Sequence, residues 1–316
     1  MLACYLRSEQ PRLTRGRSPP MSVLQDRAVV VTGAGGGIGR AYAEAIVAAG
    51  GRVVVNDIAH DRAVEVAEGL GGQAVPSGHD ITDWDQARDL VRTCVTEFGT
   101  IDGLVNNAGL LALAHPHEQD ERDARRLIEV NLMGSIACAT AAFAEMVPRG
   151  RGSVVNVTSG QQMGDRSMAV YGATKAGTAA LTYSWATDLR ESGVRVNAVS
   201  PMAHTRMAEV YESFVGGGFV GQNRGKDPAN NAPLVVWLLS DRSARVTGQV
   251  LRCDAETLSV CAHPAVIAEG AQTEGGWDVD KVQRAFDERL LGLLQPGGVR
   301  LIEPPRFVDG PRSAGQ

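Results

Sequence analysis

Short β-branched runs alternate with longer stretches whose apolar residues recur every three or four positions. The runs at 28–32, 52–56, 73–77, 103–106, 153–158, 195–199 and 248–252 predict strands. The stretches at 37–49, 60–70, 83–98, 120–147, 168–191 and 228–240 predict helices. Val53-Val54-Val55 and Val154-Val155 are continuously apolar, as in strands covered on both faces. This alternation predicts an α/β fold, a doubly wound parallel sheet of about seven strands in a three-layer α/β/α arrangement.

Three segments depart from the rhythm. Residues 202–227 carry Gly216-Gly217-Gly218, Gly221 and Gly225 with weak periodicity, the pattern of a surface loop or a flexible lid. Residues 276–294 place Val279, Val282, Ala285, Phe286, Leu290 and Leu293 at helical spacing, predicting a helix packed on its own domain or a cap or subunit contact. Residues 1–20 hold four arginines and three prolines and lack an apolar run long enough for a signal peptide. The expected organisation is a disordered extension at 1–20, with Met21 as the natural start, and one catalytic domain at 21–300. Within it 253–300 form a C-terminal extension, and 301–316 are a loose tail.

Composition narrows the function classes. Of 316 residues, 44% are hydrophobic and 21% charged, enough for an ordinary core. A net charge of -5 argues against nucleic acid or an anionic membrane as a partner held by bulk charge. No unbroken apolar run approaches the roughly 18 residues of a membrane span. Five cysteines with no C-x-x-C pair suggest free thiols in a reducing cytosol, hence a cytoplasmic protein. His115 and His117 form an H-x-H pair without further ligands at metal-site spacing, so no metal is expected. Only three of the 31 basic residues are lysines: Lys175, Lys226 and Lys281.

The chemistry begins where the first strand runs into Thr32-Gly33-Ala34-Gly35-Gly36-Gly37-Ile38-Gly39 and a helix follows. Gly33 permits the tight turn, Gly37 lets a phosphate approach the backbone, and Gly39 lets helix and strand pack closely. Asp57 ends the second strand, 24 residues beyond Gly33, where a carboxylate accepts hydrogen bonds from adenosine ribose hydroxyls. It would repel a 2'-phosphate by roughly 3 kcal/mol per unit-charge pair at about 5 Å and an effective dielectric of 20. No arginine stands in the glycine loop or directly after Asp57, so NAD is favoured over NADP. Asn106-Asn107-Ala108-Gly109 closes the fourth strand with small and amide residues that can approach a cofactor. Tyr171 and Lys175 stand at i,i+4 on a predicted helix, which puts phenol and ammonium on one face. A tyrosine acting as a base near neutral pH needs its pKa lowered by about 3, or roughly 4 kcal/mol. A neighbouring ammonium and an oxidised nicotinamide both favour the phenolate. Ser159, just after the fifth strand, could hydrogen-bond a substrate oxygen.

Together these residues resemble the short-chain dehydrogenase/reductase family, over about Val23 to Cys253. The matching pieces are Thr32–Gly39 with Gly33, Gly36, Gly37, Ile38 and Gly39, then Asp80-Ile81, Asn107-Ala108-Gly109, Asn131, Ser159, Tyr171 with Lys175, and Arg195–Pro201. The resemblance implies a Rossmann-type fold and an NAD cofactor bound at the strand C-terminal ends. It implies Tyr171 as general acid/base, and Lys175 as the group that lowers its pKa and binds the nicotinamide ribose. Ser159 would orient the substrate carbonyl or hydroxyl, and Asn131 would hold a relay water. It also implies a small-molecule alcohol or ketone substrate and a homodimer or homotetramer. The helices at 120–147 and 168–191 would form the subunit contact, unless their alanines are buried within one subunit. Three features depart from the family pattern. Ser159 precedes Tyr171 by twelve residues, one fewer than usual, and Thr158 would restore the longer spacing. Met202 follows Pro201 where glycine is usual, leaving Thr205 as the residue expected to reach the cofactor. The chain also continues past the seventh strand.

Pro201-x-Ala-x-Thr205-Arg-Met, Asn56-Asp57 and Asn231–Leu239 are similar to a branch that includes the hydroxyacyl-CoA dehydrogenase units of peroxisomal multifunctional enzymes. That makes a 3-hydroxyacyl thioester one candidate substrate beside steroids, cyclic alcohols and secondary-metabolite ketones. Two alternatives stand beside an NAD-dependent dehydrogenase. One is an NADPH-dependent biosynthetic ketoreductase, against which Asp57 argues. The other is a non-catalytic dinucleotide-binding regulator, which would be expected to lack the tyrosine or the lysine.

Overall fold

Residues 23–214, 226–254, 256–266, 270–271, 273–274, 277–295, 297–299 and 302 are described by a computed structural model. The expected disorder at 1–20, Met21 as the start, the glycine cluster at 216–225 and the tail at 301–316, apart from Ile302, lie outside the described residues.

The chain forms β1 (Ala28–Thr32), α1 (Gly37–Ala48), β2 (Arg52–Asn56), α2 (His60–Leu70), β3 (Ala74–Ser77), α3 (Trp84–Phe98) and β4 (Gly103–Asn106). There follow α4 (Glu121–Ile128), α5 (Gly134–Met146), β5 (Gly152–Val157), α6 (Ala169–Asp188), β6 (Val194–Met202) and α7 (Arg206–Phe214). The last elements are α8 (Ala232–Leu239), β7 (Val250–Asp254), β8 (Thr257–Cys261) and α9 (Val279–Glu288). The strands make one sheet in the order β3-β2-β1-β4-β5-β6-β7-β8. Every pair is parallel except β7 with β8. Strand order reverses between β1 and β4, which opens a crevice at their C-terminal ends, the place where open α/β sheets bind ligands.

Alternating strand residues feed two cores. Val29, Val31, Val53 and Val55 pack with Tyr42 and Ile46 of α1, Val66 of α2 and Leu238 of α8. Val30, Val54, Leu104 and Val154 pack with Leu90 of α3 and with Ala137 and Met146 of α5. Ala137, Ala139, Ala141 and Ala142 are thus buried within the subunit, while Ala144 is exposed. The helical run Glu121–Arg149 has a window of mean hydropathy 1.6, long and apolar enough to cross a bilayer by length and composition. About half of that window is buried, with Ala137, Cys138, Ala139, Ala141, Ala142 and Met146 in the core between α3 and the sheet.

Four expectations change. The sheet has eight strands, because Thr257–Cys261 adds an antiparallel edge strand. Leu258 and Val260 on that edge are 62% and 67% exposed, so its apolar content does not mark a covered strand. Within 202–227 lies α7, a helix that the glycines beside it obscured. The helix expected at 120–147 is two α-helices joined by a π turn, Glu129–Met133. The helix expected at 276–294 is α9 followed by a 3-10 turn at Leu290–Leu293, and neither buries a residue on its own domain.

Candidate active site

The glycine loop lies at the mouth of the β1–β4 crevice. Gly33 and Gly37 have φ of +62° and +55°, the left-handed region that glycine adopts without a Cβ penalty. A Cβ on Gly33 would lie 2.8 Å from Cα of Ala108, and one on Gly39 would lie 2.3 Å from the Gly33 carbonyl oxygen. At Gly36 and Gly37 a Cβ would meet nothing within 4 Å, so the loop is closed behind and open in front. No side chain caps α1, and its first turn carries no acid, so its leading N–H groups face that open space. A concave, backbone-lined, positively polarised cradle of this kind fits a diphosphate.

The rest of the dinucleotide half is tied to this loop. Asn107 Nδ2 donates to the carbonyls of Thr32 and Gly33 at 2.9 and 3.0 Å. The N–H groups of Asn107 and Ala108 donate to Thr32 Oγ1 at 3.1 and 3.0 Å. Asp57 Oδ2 accepts from the Gly35 N–H at 3.0 Å, and its Oδ1 accepts from the Ala59 N–H at 3.0 Å. The carboxylate therefore borders the cradle. Arg62 of α2 also borders it: its Cβ would lie 2.8 Å from a Cβ on Gly35. Arg62 does not stand directly after Asp57 in the sequence; the first turn of α2 returns it to the loop. Asp80 Oδ1 accepts from the N–H and hydroxyl of Thr82, which makes it a turn-forming residue. Ile81 is buried against Gly134.

Across the crevice the site is crowded. Asn131, within the π turn, exchanges hydrogen bonds with Leu110: Oδ1 accepts from its N–H at 2.7 Å, and Nδ2 donates to its carbonyl at 3.0 Å. Nδ2 also donates to Thr174 Oγ1 at 3.2 Å. Gly109 fits between these groups, since a Cβ there would lie 3.4 Å from Asn131 Oδ1 and 3.6 Å from Lys175 Nζ. Lys175 is 4% exposed and donates to the Val157 carbonyl at 2.8 Å. Burial lowers its pKa to about 8. Its Nζ stands 5.9 Å from the centroid of the Tyr171 ring. The half-buried Tyr171 phenol has its pKa raised by desolvation, and a hydrogen bond with the Ser159 side chain opposes that rise. The expected lowering of the phenol by Lys175 is not met: desolvation holds the Tyr171 pKa above its ordinary value, and the ammonium bonds the Val157 carbonyl instead of the phenol oxygen.

The choice between Ser159 and Thr158 has a geometric answer for position. Thr158 Oγ1 turns into the sheet and donates to the Val199 carbonyl at 3.2 Å. Ser159 faces the phenol and also donates to Gln161 Oε1. Gln161 belongs to a 3-10 turn, Gly160–Met163, that rests on the start of α6: a Cβ on Gly172 would lie 2.7 Å from the Gln161 carbonyl oxygen. Pro201 pairs with Cys253 in β6 and β7. Thr205 Oγ1 accepts from the Ala208 N–H at 3.4 Å, so it caps α7. The end of α7 comes over the loop after β4, with the Phe214 ring 5.9 Å from that of His115. The loop after β4 and the end of α7 thus meet at the His115–Phe214 contact.

Comparison with known proteins agrees with this architecture. A family model described as short chain dehydrogenase matches residues 27–214. The chain is 34% identical over 239 residues to the 3-oxoacyl-[acyl-carrier-protein] reductase FabG of Thermotoga maritima, covering 73% of this chain and 97% of that one. It is 37% identical over 240 residues to the cis-4-hydroxycyclohexanecarboxylate dehydrogenase of Sinomonas cyclohexanicum, covering 72% and 95%. A crystal structure of a short chain dehydrogenase from Mycobacterium avium superposes with a TM-score of 0.76 at 36% identity, covering 87% of this chain and 98% of that one.

Proposed function

The chain belongs to the short-chain dehydrogenase/reductase family and is an oxidoreductase of its alcohol–ketone type; from that premise we propose that it moves a hydride between NAD(H) and a secondary alcohol or ketone. The observation that carries the reading is the meeting of Ser159, Tyr171 and Lys175 at the end of a crevice whose other wall is the glycine cradle. Gly33, Gly36, Gly37, Ile38 and Gly39 would hold the diphosphate, Asp57 the adenosine ribose, and Lys175 the nicotinamide ribose. The bound nicotinamide supplies the hydride acceptor or donor.

The protein's own part is position and protonation. Ser159 would turn its one hydroxyl proton from Gln161 Oε1 to the substrate oxygen. In alcohol oxidation Tyr171 takes the hydroxyl proton, and in ketone reduction it returns one. Lys175, with its Nζ 5.9 Å from the centroid of the phenol ring, would favour the phenolate only together with the Ser159 hydrogen bond and the positive charge of an oxidised nicotinamide. The Asn131–Leu110 exchange fixes the wall that keeps Lys175 in place. The substrate is a small molecule, with a 3-hydroxyacyl thioester, a steroid and a cyclic ketone as the classes to try. Asp57 favours NAD; Arg62 at the same rim favours a second reading in which NADP is accepted. Following nicotinamide absorbance with a ketone panel and both dinucleotides tests the proposal. Binding of either dinucleotide without turnover of any class would replace it with the regulator reading.

We also assign the protein to a reducing, cytoplasmic setting, in keeping with the unpaired Cys94, Cys138, Cys253 and Cys261. A homodimer or homotetramer is proposed, with Leu258 and Val260 on the exposed β8 edge as candidate contacts. A monomer in light scattering would overturn that assembly.

A further inference from the structure

A guanidinium with no carboxylate partner among the described residues stands beside Gly160, the residue after Ser159. Arg252 lies on β7 opposite Ser200 of β6, and its Nη1 donates to Ser200 Oγ at 3.4 Å. A Cβ on Gly160, the residue after Ser159, would lie 2.8 Å from the same Nη1 and 3.1 Å from Val299. The other Nη rests against the Met202 sulfur. Arg252 is therefore half-buried where the loop after β5, the end of β6 and the C-terminal extension converge. Among the described residues no carboxylate lies within ion-pair distance of it. The nearest acid on its strand, Asp254, pairs with Lys226, whose Nζ also approaches Met202 Sδ at 4.0 Å. Among the described residues two cations and one carboxylate meet around that sulfur, one positive charge in excess.

Withdrawing a guanidinium from water without an opposite charge is costly, and a carboxylate offers the planar two-oxygen partner that its fork matches. We propose that Arg252 is a substrate-binding residue that receives a carboxylate carried by the alcohol or ketone, at the end of the molecule remote from the reacting carbon. This deepens the oxidoreductase reading and rests on it for the place of the reacting carbon. The scarce Lys226 then has a partner role: it neutralises Asp254, which would otherwise claim Arg252 or repel the substrate.

The test uses 4-oxocyclohexanecarboxylate and its primary amide as a matched pair, with the full-length protein, Arg252→Met and Arg252→Lys. The wild type is expected to show a kcat/KM at least tenfold higher for the carboxylate than for the amide. In Arg252→Met that ratio falls at least tenfold, while Arg252→Lys keeps part of it. Melting temperature and dinucleotide binding check that each variant is folded. Calorimetric titration of cyclohexanecarboxylate into the dinucleotide complex gives a second readout that does not need turnover. Arg252-dependent carboxylate binding without turnover of either ketone sustains Arg252 as the carboxylate-binding residue and removes this ketone pair as substrates, leaving the hydride-transfer reading to the wider ketone panel. The same carboxylate-to-amide ratio in wild type and Arg252→Met, or no carboxylate binding by the wild type, overturns the assignment.

Discussion

Around the glycine loop the chain makes room by leaving side chains out. A Cβ on Gly39 would strike a backbone oxygen, yet the space in front of Gly36 and Gly37 is open. Around Lys175, on the other side of the β1–β4 crevice, the same sheet end is packed with side-chain polar atoms. Asn131 spends its whole amide on neighbours, and a nearly inaccessible ammonium is held by a carbonyl. The cradle depends on volume and backbone dipoles, so it tolerates almost no added atom at its back and responds little to pH. The catalytic wall holds a buried ammonium with neutral hydrogen-bond partners, so it should respond to protonation where the cradle does not.

The largest expected effect falls on the catalytic wall. Tyr171→Phe removes the transferable proton but little volume; turnover should fall about a thousandfold. Dinucleotide affinity by fluorescence titration should stay within about threefold; near-normal turnover would refute the assignment of Tyr171. The cradle is tested next by a pair of alanine variants. Gly39→Ala forces an overpacked contact and should cost about 3 kcal/mol in chemical denaturation. Gly36 has a φ of 179°, extended backbone open to any residue, so Gly36→Ala should melt within about 2 °C of the wild type. It should still lose about tenfold in dinucleotide affinity, because the methyl group enters the space assigned to the diphosphate. Equal effects of the two variants on folding would erase the distinction between the back and the front of the loop.

At the rim, Asp57→Ala should lower the preference for NAD over NADP at least tenfold, about 1.4 kcal/mol, in paired rate measurements. An unchanged ratio would shift the weight to Arg62. The smallest effect is a matter of sign. The Lys175 pKa is about 8 in the folded protein against an ordinary 10.5. Between those values the unfolded chain holds the proton more tightly, so wild-type stability rises with pH across that window. Below pH 8 the buried ammonium costs about 3 kcal/mol, partly offset by its bond to the Val157 carbonyl. The melting temperature of Lys175→Met relative to wild type should therefore be highest at neutral pH and decline from about pH 8 to 10.5. A flat difference would mean that the ammonium is not desolvated.

The elements most legible in the sequence were those covered on both faces. β1 and β2 each hold three consecutive valines, β4 holds Leu104-Val105 and β5 Val154-Val155, because both helical layers press on them, and the bounds expected from sequence lie within one residue of those observed. β8 and α7 were not legible, because each shows one face to water and stands beside glycines or charges that dilute its pattern. The spacing of the glycines and of Tyr171 with Lys175 is local, so both survived the passage from sequence to structure as groups. Arg62 and Arg252 did not stand out. Each acts through neighbours brought to it by the fold, from the glycine loop in one case and from two strands and the loop after β5 in the other, and neither stands in a recognisable spacing. The neighbours of Arg252 are set only by the pairing of β6 with β7.

The π turn at Glu129–Met133 carries one more residue than an α turn would. Since each helical residue advances about 100°, that residue re-phases everything beyond it. On one side the run presents Leu127 to the core, and on the other it presents Ala137, Ala139, Ala141 and Ala142. The helix is in effect two shafts joined by a coupling, with Asn131 in the coupling itself. A one-residue deletion there would leave composition and hydropathy almost unchanged. It would turn one half of the run out of register with the other, so the length of this turn is as much a determinant of the catalytic wall as the identity of its asparagine.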